Sequence, residues 1–397
     1  MEQRPLVSLW QIFTVFLRLG LTSFGGPVAH LAYFRNECVQ RRHWLTEQHY
    51  ASVVALCQFL PGPASSQAGM AIGYLLRGYR GAMVSWLGFT LPSAVVMAYL
   101  ATLATSFNTA QLVTVLDGLT LLVLAIVAHA TWQMSQQLCA GVKRKVITLM
   151  CLVVLLLTPA LPGQMLVMLG GAIVGWLWLP RSASDAAFVD AVTKKTSIFH
   201  SVALMGVFVL LLFLLPLLVR QYDSTTLELF DALYRTGVLV FGGGHVVLPL
   251  MQAELVTSEL ISEPLFMAGY GAVQAMPGPL FTFASYIGAS SLQPAVLGAI
   301  VATIAIFLPA MLLVLAALPW WQKLQHVACL QRAMAGVNAA VVSMLLALVV
   351  HGMPAITLDA LPQWLLVIAF LFALMYLRLP AYLLVVITVV GGLAFSF

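Results

Sequence analysis

Long apolar runs alternate along this chain with short breaks of two kinds. Some breaks are clusters of basic residues; others are glycines and prolines set inside otherwise apolar stretches. Residues 198–219 carry only His200 and Ser201 as clearly polar members, the length and polarity of a membrane-spanning helix of about 20 residues. Further helices are predicted over residues 82–104, 112–137, 146–160 and 164–179, paired as hairpins between basic loops. Two other segments, 8–40 and 47–76, are interrupted at Gly25-Gly26-Pro27 and at Pro61-Gly62-Pro63. Each piece of these has ~15 residues, and at ~1.5 Å per residue it falls short of a ~30 Å hydrocarbon core. The pattern predicts two helical hairpins that enter the bilayer, turn near its middle and return. Glycine permits such turns and proline withdraws a backbone donor.

The interruptions occur twice. FLRLGLTSFGGPV (16–28) and QFLPGP (58–63) return as LYRTGVLVFGGGHV (233–246) and QAMPGP (274–279). Arg18, Gly20, Phe24, Gly25 and Gly26 fall on Arg235, Gly237, Phe241, Gly242 and Gly243 at an offset of 217. Gln58, Pro61, Gly62 and Pro63 fall on Gln274, Pro277, Gly278 and Pro279 at 216, and Glu37 and Pro92 meet Glu254 and Pro309 at 217. Gly244 stands in place of Pro27, so that feature is not symmetric. A Gly-Gly pair alone is a helix-packing device, and a Pro-Gly-Pro alone is a loop. Recurrence of both at matched positions in two apolar halves points to the substrate site of a secondary transporter.

Composition agrees: 62% of residues are hydrophobic and 8% charged, with a mean hydropathy of +1.01, against about 25% charged in a soluble domain. The chain reads as a polytopic, all-α integral membrane protein. Its net charge of +5 is a topology signal rather than a nucleic-acid footprint. Of the 18 Lys and Arg, 13 precede residue 198, clustered as Arg35/Arg41/Arg42, Arg77/Arg80, Lys143/Arg144/Lys145 and Arg181/Lys194/Lys195, and such loops stay cytoplasmic. The unpaired span 198–219 then carries the chain across once more, which makes the halves an inverted-topology repeat with broken or re-entrant helices at the FGG and PGP motifs. The expected organisation is an N-terminal half (1–180), a cytoplasmic linker with the connecting transmembrane helix (181–224) and an inverted C-terminal half (225–397). The N-terminus is expected in the cytoplasm and the C-terminus outside it. No removable signal peptide is read at the start.

In hydrocarbon an unpaired backbone group costs several kcal/mol, so irregular backbone at membrane depth lines a wet cavity or is buried in protein. A helix that starts there presents free N–H groups and about half a positive charge. Four such starts, two per copy, would offer roughly +2, a match for a divalent oxyanion. The candidate substrate-binding residues are Gly25, Gly26, Pro61, Gly62, Pro63, Gly242, Gly243, Pro277, Gly278 and Pro279. The hydroxyls of Ser65, Ser66, Thr282 and Ser285 follow the PGP turns. Arg18 and Arg235 sit at equivalent places inside apolar helices, where an ionisable group is a functional candidate and a planar guanidinium suits a tetrahedral oxyanion. Asp117, Glu37 and Glu254 are candidates for proton coupling, Asp117 as the one acid within a long apolar run. For Glu37 and Glu254, capping or pairing near a membrane surface is the plainer role. Thr46-Glu47 and Ser262-Glu263-Pro264 read as helix starts. Five cysteines (38, 57, 139, 151, 329) lack CxxC or Cys/His spacing, so neither a metal nor a disulfide framework is expected. No cofactor is expected, no GxxxxGK[ST] motif is present, and no catalytic constellation is seen.

FLRLGLTSFGGPVAHLAYF, QFLPGPASSQAGMAIGY, LVFGGGHVVLP, QAMPGP and GVNAAVVSMLL together resemble the chromate ion transporter family in its long, two-domain bacterial form. The resemblance covers essentially the whole chain. It implies chromate export across the bacterial inner membrane and chromate resistance, with the FGG and PGP motifs among the most characteristic regions. Short members of that family consist of one half and work as pairs, and a homodimer of this long form stays open. Sulfate has the same charge and shape as chromate, so transport of sulfate or a related oxyanion, or an anion channel, stands as the alternative. The partners implied are that oxyanion and the lipid bilayer.

Overall fold

The computed structural model describes residues 7–104, 109–158, 161–180, 198–241, 247–321, 327–352 and 361–395, and among these the ordered elements are helical. In chain order they are α1 (Leu9–Thr22), α2 (Gly26–Arg35), α3 (Glu47–Phe59), α4 (Ala64–Ala104), α5 (Thr109–Leu138), α6 (Val142–Leu157), α7 (Leu161–Trp178), α8 (Ile198–Gln221), α9 (Thr225–Leu239), α10 (Val247–Met251), α11 (Glu263–Gln274), α12 (Phe283–Ser291), α13 (Ala295–Ala317), α14 (Ala328–Gly352), α15 (Leu361–Met375) and α16 (Ala381–Phe395). Local chemistry sets several of the ends. Ser8 and Gln11 form a reciprocal capping box at α1, and the Thr46 hydroxyl accepts from the His49 amide at α3, each occupying donors a helix start leaves open.

Among the described residues, five helical stretches are long and apolar enough to cross a membrane: Ala64–Leu103, Asp117–Leu138, Ile198–Gln221, Ala295–Trp320 and Ala328–His351. Only 11% of the most apolar window of Ile198–Gln221 is covered by protein, so this helix presents its side chains to lipid. With the shorter apolar helices, this makes the chain a multi-pass membrane protein. α1, α2 and α3 have 14, 10 and 13 residues, or ~15–21 Å of rise, against ~30 Å for a full crossing. α4 is divided where Arg77 (φ −137°, ψ 19°) and Gly78 (φ 68°, ψ −153°) leave helical geometry. Its limbs are ~20 Å and ~39 Å long, a half crossing followed by a full one. They fold back so closely that a Cβ on Gly73 would overlap the Gly81 carbonyl. α12 and α13 repeat this: a Cβ on Gly288 would overlap the Gly298 carbonyl.

The helices form two compact units. One comprises residues 1–98, 183–244 and 277–327; the other comprises 99–182, 245–276 and 328–397. Each draws segments from both sequence copies. In the first unit α1 crosses the long limb of α4 and α9 crosses α13. Phe208, Leu215, Tyr234, Leu312 and Leu313 pack α8 onto α9 and α13. In the second, α5 packs with α15 and α16 through Leu119, Leu122, Ile126, Phe370 and Leu384. There α7 meets α14 where Gly171 and Gly175 lie against the Gly336 backbone.

Candidate functional site

The turns of the first unit require glycine. Gly25 and Gly26 have φ of 100° and 77°, Gly62 has 120° and Gly278 has 95°, values an L side chain rarely adopts. Gly25 caps α2, whose first turn takes Pro27. After Pro63 the first intrahelical bond of α4 is Gln67 N–H to the Pro63 carbonyl at 2.9 Å, so the amides of residues 64–66 lie ahead of the helical ladder.

The two copies exchange backbone hydrogen bonds at these turns. The Gly62 amide donates to the Val240 carbonyl at 2.7 Å, and the Gly278 amide donates to the Ser23 carbonyl at 2.9 Å. Ser23 and Val240 are equivalent positions at the offset of 217, each just ahead of an FGG, and the two glycines are equivalent centres of PGP. Each PGP turn is thus pinned by the residue that opens the other copy's FGG turn. The surroundings repeat as well. A Cβ on Gly62 would lie 2.8 Å from Ala310 Cβ, and one on Gly278 would lie 2.9 Å from Ser93 Oγ, again an equivalent pair. A Cβ on Gly20 would lie 2.6 Å from the Phe89 oxygen, and one on Gly237 would lie 2.5 Å from that of Ile306. Reciprocal contact between equivalent patches is the signature of a two-fold relation.

Around the turns lies a buried polar set drawn from the first copy. His30 on α2 sits 3.3 Å from Ser65 Oγ through Nδ1 and edge-on to Phe89, in an aromatic run with Phe34 and Phe16. Gln67 donates from Nε2 to the Pro61 carbonyl at 2.7 Å. The hydroxyls of Ser23, Ser66 and Thr90 and the Gln67 Oε1 are buried with no hydrogen-bond partner among the described residues. Such groups are rare in folded proteins and cost about 1–3 kcal/mol each when nothing satisfies them. Three orphaned hydroxyls are donors suited to oxygen ligands. In the second copy the two candidate hydroxyls after the PGP turn are occupied: Thr282 donates to the Pro279 carbonyl at 2.8 Å and Ser285 to that of Ala94 at 2.7 Å.

The other expected residues separate. Gly242 and Gly243 lie outside the described residues. Arg18 is exposed on α1. Arg235 is 24% exposed and pairs with the buried Asp231 at 2.9 Å, one helical turn earlier. Asp231 was missed in the sequence, although its i,i+4 spacing to Arg235 is a recognisable ion-pair pattern. Its equivalent is Thr14, which hydrogen-bonds the Trp10 carbonyl, so the two arginines have different surroundings. Glu37 accepts from Arg42 at 2.6 Å and Arg41 at 3.2 Å. Asp117 and Glu254 belong to the second unit. There Asp117 lines a cavity of about 450 Å³ with Gln252, Glu263 and His351. Among the described residues no three His, Cys, Asp or Glu side chains are placed to hold a metal ion.

Comparison with known proteins gives a consistent picture. The chain is 28% identical over 99% of its length to an uncharacterized transporter of Methanocaldococcus jannaschii, covering 96% of that protein. It is 25% identical to a chromate transport protein of Pseudomonas aeruginosa, over 77% of this chain and 72% of the relative. It is 27% identical to a probable chromate transport protein of Synechococcus elongatus, over 98% and 96%. No solved structure matches it. The chromate transporter family matches over residues 10–176 and again over 227–395. With a repeated family match that spans most of the sequence, the chain belongs to the chromate transporter family.

Proposed function

We propose that this protein is a secondary transporter, not an enzyme, which exports chromate from the cytoplasm across the bacterial inner membrane and so confers resistance. Family membership and the chromate transport relatives supply the substrate class. The observation that carries the site is the reciprocal pairing of Gly62 with Val240 and of Gly278 with Ser23, which holds equivalent helix interruptions of both copies together. In our reading the copies, 1–180 and 225–397, form an inverted repeat about this point, with the N-terminus cytoplasmic and the C-terminus periplasmic. A two-fold relation between half-crossing helices supports that reading. The dianion is received by the amides at the starts of α2 and α4, whose dipoles favour negative charge. The hydroxyls of Ser23, Ser66 and Thr90 complete its shell by donating hydrogen bonds. Arg18 adds long-range positive potential, while the charge of Arg235 is balanced by Asp231.

The test is uptake of labelled chromate by inside-out vesicles. Saturable uptake is expected, reduced about tenfold or more in Ser66→Ala, the loss of one charge-assisted hydrogen bond. Wild-type kinetics in Ser66→Ala together with Gly62→Ala would remove the site. A flux linear in chromate without saturation would indicate a channel, and stronger competition by sulfate than by unlabelled chromate would reassign the substrate.

A further inference from the structure

At one end of the second unit, the close of α5, the start of α6, the close of α7 and the first turns of α14 surround a pocket of about 270 Å³. Among the described residues its lining carries Lys143, Arg144 and Arg332, and no carboxylate. Each cation is oriented by one backbone carbonyl. Lys143 Nζ donates to Trp178 at 3.2 Å, an Arg144 guanidinium nitrogen to Leu138 at 3.2 Å, and Arg332 Nε to Ala328 at 3.3 Å. An ammonium has three donors and a guanidinium five, so among the described residues most of their hydrogen-bonding capacity is unused. Lys143 also lies 5.6 Å from the centre of the Trp178 ring. The 16-residue α6 opens into the same pocket with no side-chain cap on its amides, which adds positive potential to the three cations. Leu179, Pro180 and Ala335 form the apolar remainder. Helix ends, a tryptophan and converging cations are the makings of the membrane–water interface, and a basic pocket between helices there matches a phosphate headgroup.

We propose that this pocket binds a phosphate-class oxyanion, through Lys143, Arg144 and Arg332. A lipid headgroup and free phosphate share that chemistry. None of its lining residues belongs to the glycine turns. The full-length protein, purified in detergent, would be titrated with short-chain phosphatidylglycerol, with diacylglycerol and with inorganic phosphate, and bound ligand counted by native mass spectrometry. Phosphatidylglycerol is expected to bind and diacylglycerol not, with affinity falling about fivefold for Arg332→Gln and ~30-fold for Lys143→Gln/Arg332→Gln, as each cation near anionic lipid contributes by a similar factor. The charge-preserving Lys143→Arg/Arg332→Lys protein is expected to retain binding, as is Arg220→Gln on α8. Inorganic phosphate binding with the same dependence on Arg332 identifies free phosphate as the source; binding of phosphatidylglycerol alone identifies the headgroup. Equal binding of diacylglycerol and phosphatidylglycerol, or undiminished affinity in Arg332→Gln, overturns the proposal. Should the double variant fail to fold, the single variant decides.

Discussion

At the scale of the residue, the glycines at the turns differ in what they resist. Gly62 and Gly278 combine positive φ with a neighbour inside van der Waals distance of any added Cβ, whereas Gly26 has positive φ and nothing within 4 Å. Backbone strain of this kind costs about 1–3 kcal/mol, and overlap adds to it. Gly62→Ala and Gly278→Ala should therefore lower the thermal midpoint of the purified protein clearly more than Gly26→Ala; equal shifts in all three would mean that the close approach at the PGP turns is absent. The Asp231–Arg235 pair makes a second prediction. Breaking a buried pair costs about 3–5 kcal/mol, and the partial exposure of Arg235 places the loss at or below the low end. Asp231→Asn should destabilise, Asp231→Asn/Arg235→Gln should recover part of that loss, and Thr14→Ala should do little. Additive single effects in the cycle would count against the pair. Glu37 gives a pH-dependent case. Burial alone would raise its pKa, but hydrogen bonds from Arg42 and Arg41 outweigh this and hold it below the ordinary 4.5. A depressed carboxylate stabilises above its unfolded pKa, and that contribution is lost as pH falls through the folded value. Glu37→Gln should lower the melting midpoint at pH 7 and have no effect once the pH is below the folded value. A constant deficit across that range would show that the side chain acts through packing alone.

At the scale of the element, the helix breaks were legible and their partners were not. Glycine adopts positive φ most readily and proline alone lacks the amide donor, so GGP and PGP advertise themselves in an apolar run. The charges predict a basic loop around Arg77 and Arg80 at the break in α4, yet within α4 only Arg77 and Gly78 leave helical geometry. Charge density marks a membrane surface, not how few residues make the reversal. The repeat offset identified Ser23 with Val240 and Gly62 with Gly278, but not that the pairs cross over, because a hydrogen bond between backbones leaves no side-chain trace. Asp231 was hidden by the apolar surroundings of LELFDALYRTG, where its partner alone attracted notice. The small residues at the reversals carry their own prediction. Gly73 against Gly81, and Gly288 against Gly298, leave no room for a side chain. Gly73→Val or Gly288→Val should abolish the monodisperse peak of the detergent-extracted protein in size-exclusion chromatography. Gly206→Val on α8, where nothing lies within 4 Å, should leave that peak intact.

At the scale of the whole molecule, two properties meet: a membrane-embedded chain with no nucleotide-binding loop, and a proposed cargo that carries two negative charges. Moving one charge through 100 mV is worth about 2.3 kcal/mol, so a dianion leaving an inside-negative cell gains roughly 4.6 kcal/mol. That energy alone sustains a concentration ratio of about 2,000-fold, at tenfold per ~1.4 kcal/mol. Export needs no coupled ion, and the absence of an acid equivalent to Asp117 in the second copy fits a carrier without a symmetric proton relay. The expected result in inside-out vesicles is that an interior-positive potential drives labelled chromate inward with the proton gradient collapsed. The accumulation should rise about tenfold for each ~30 mV, as for a divalent ion. A slope of tenfold per ~60 mV would mean that one net charge moves, and hence that a proton accompanies the dianion. Accumulation that follows the proton gradient and ignores the potential would exclude uniport and make Asp117, which shares a cavity with Glu263 and His351, the first residue to substitute.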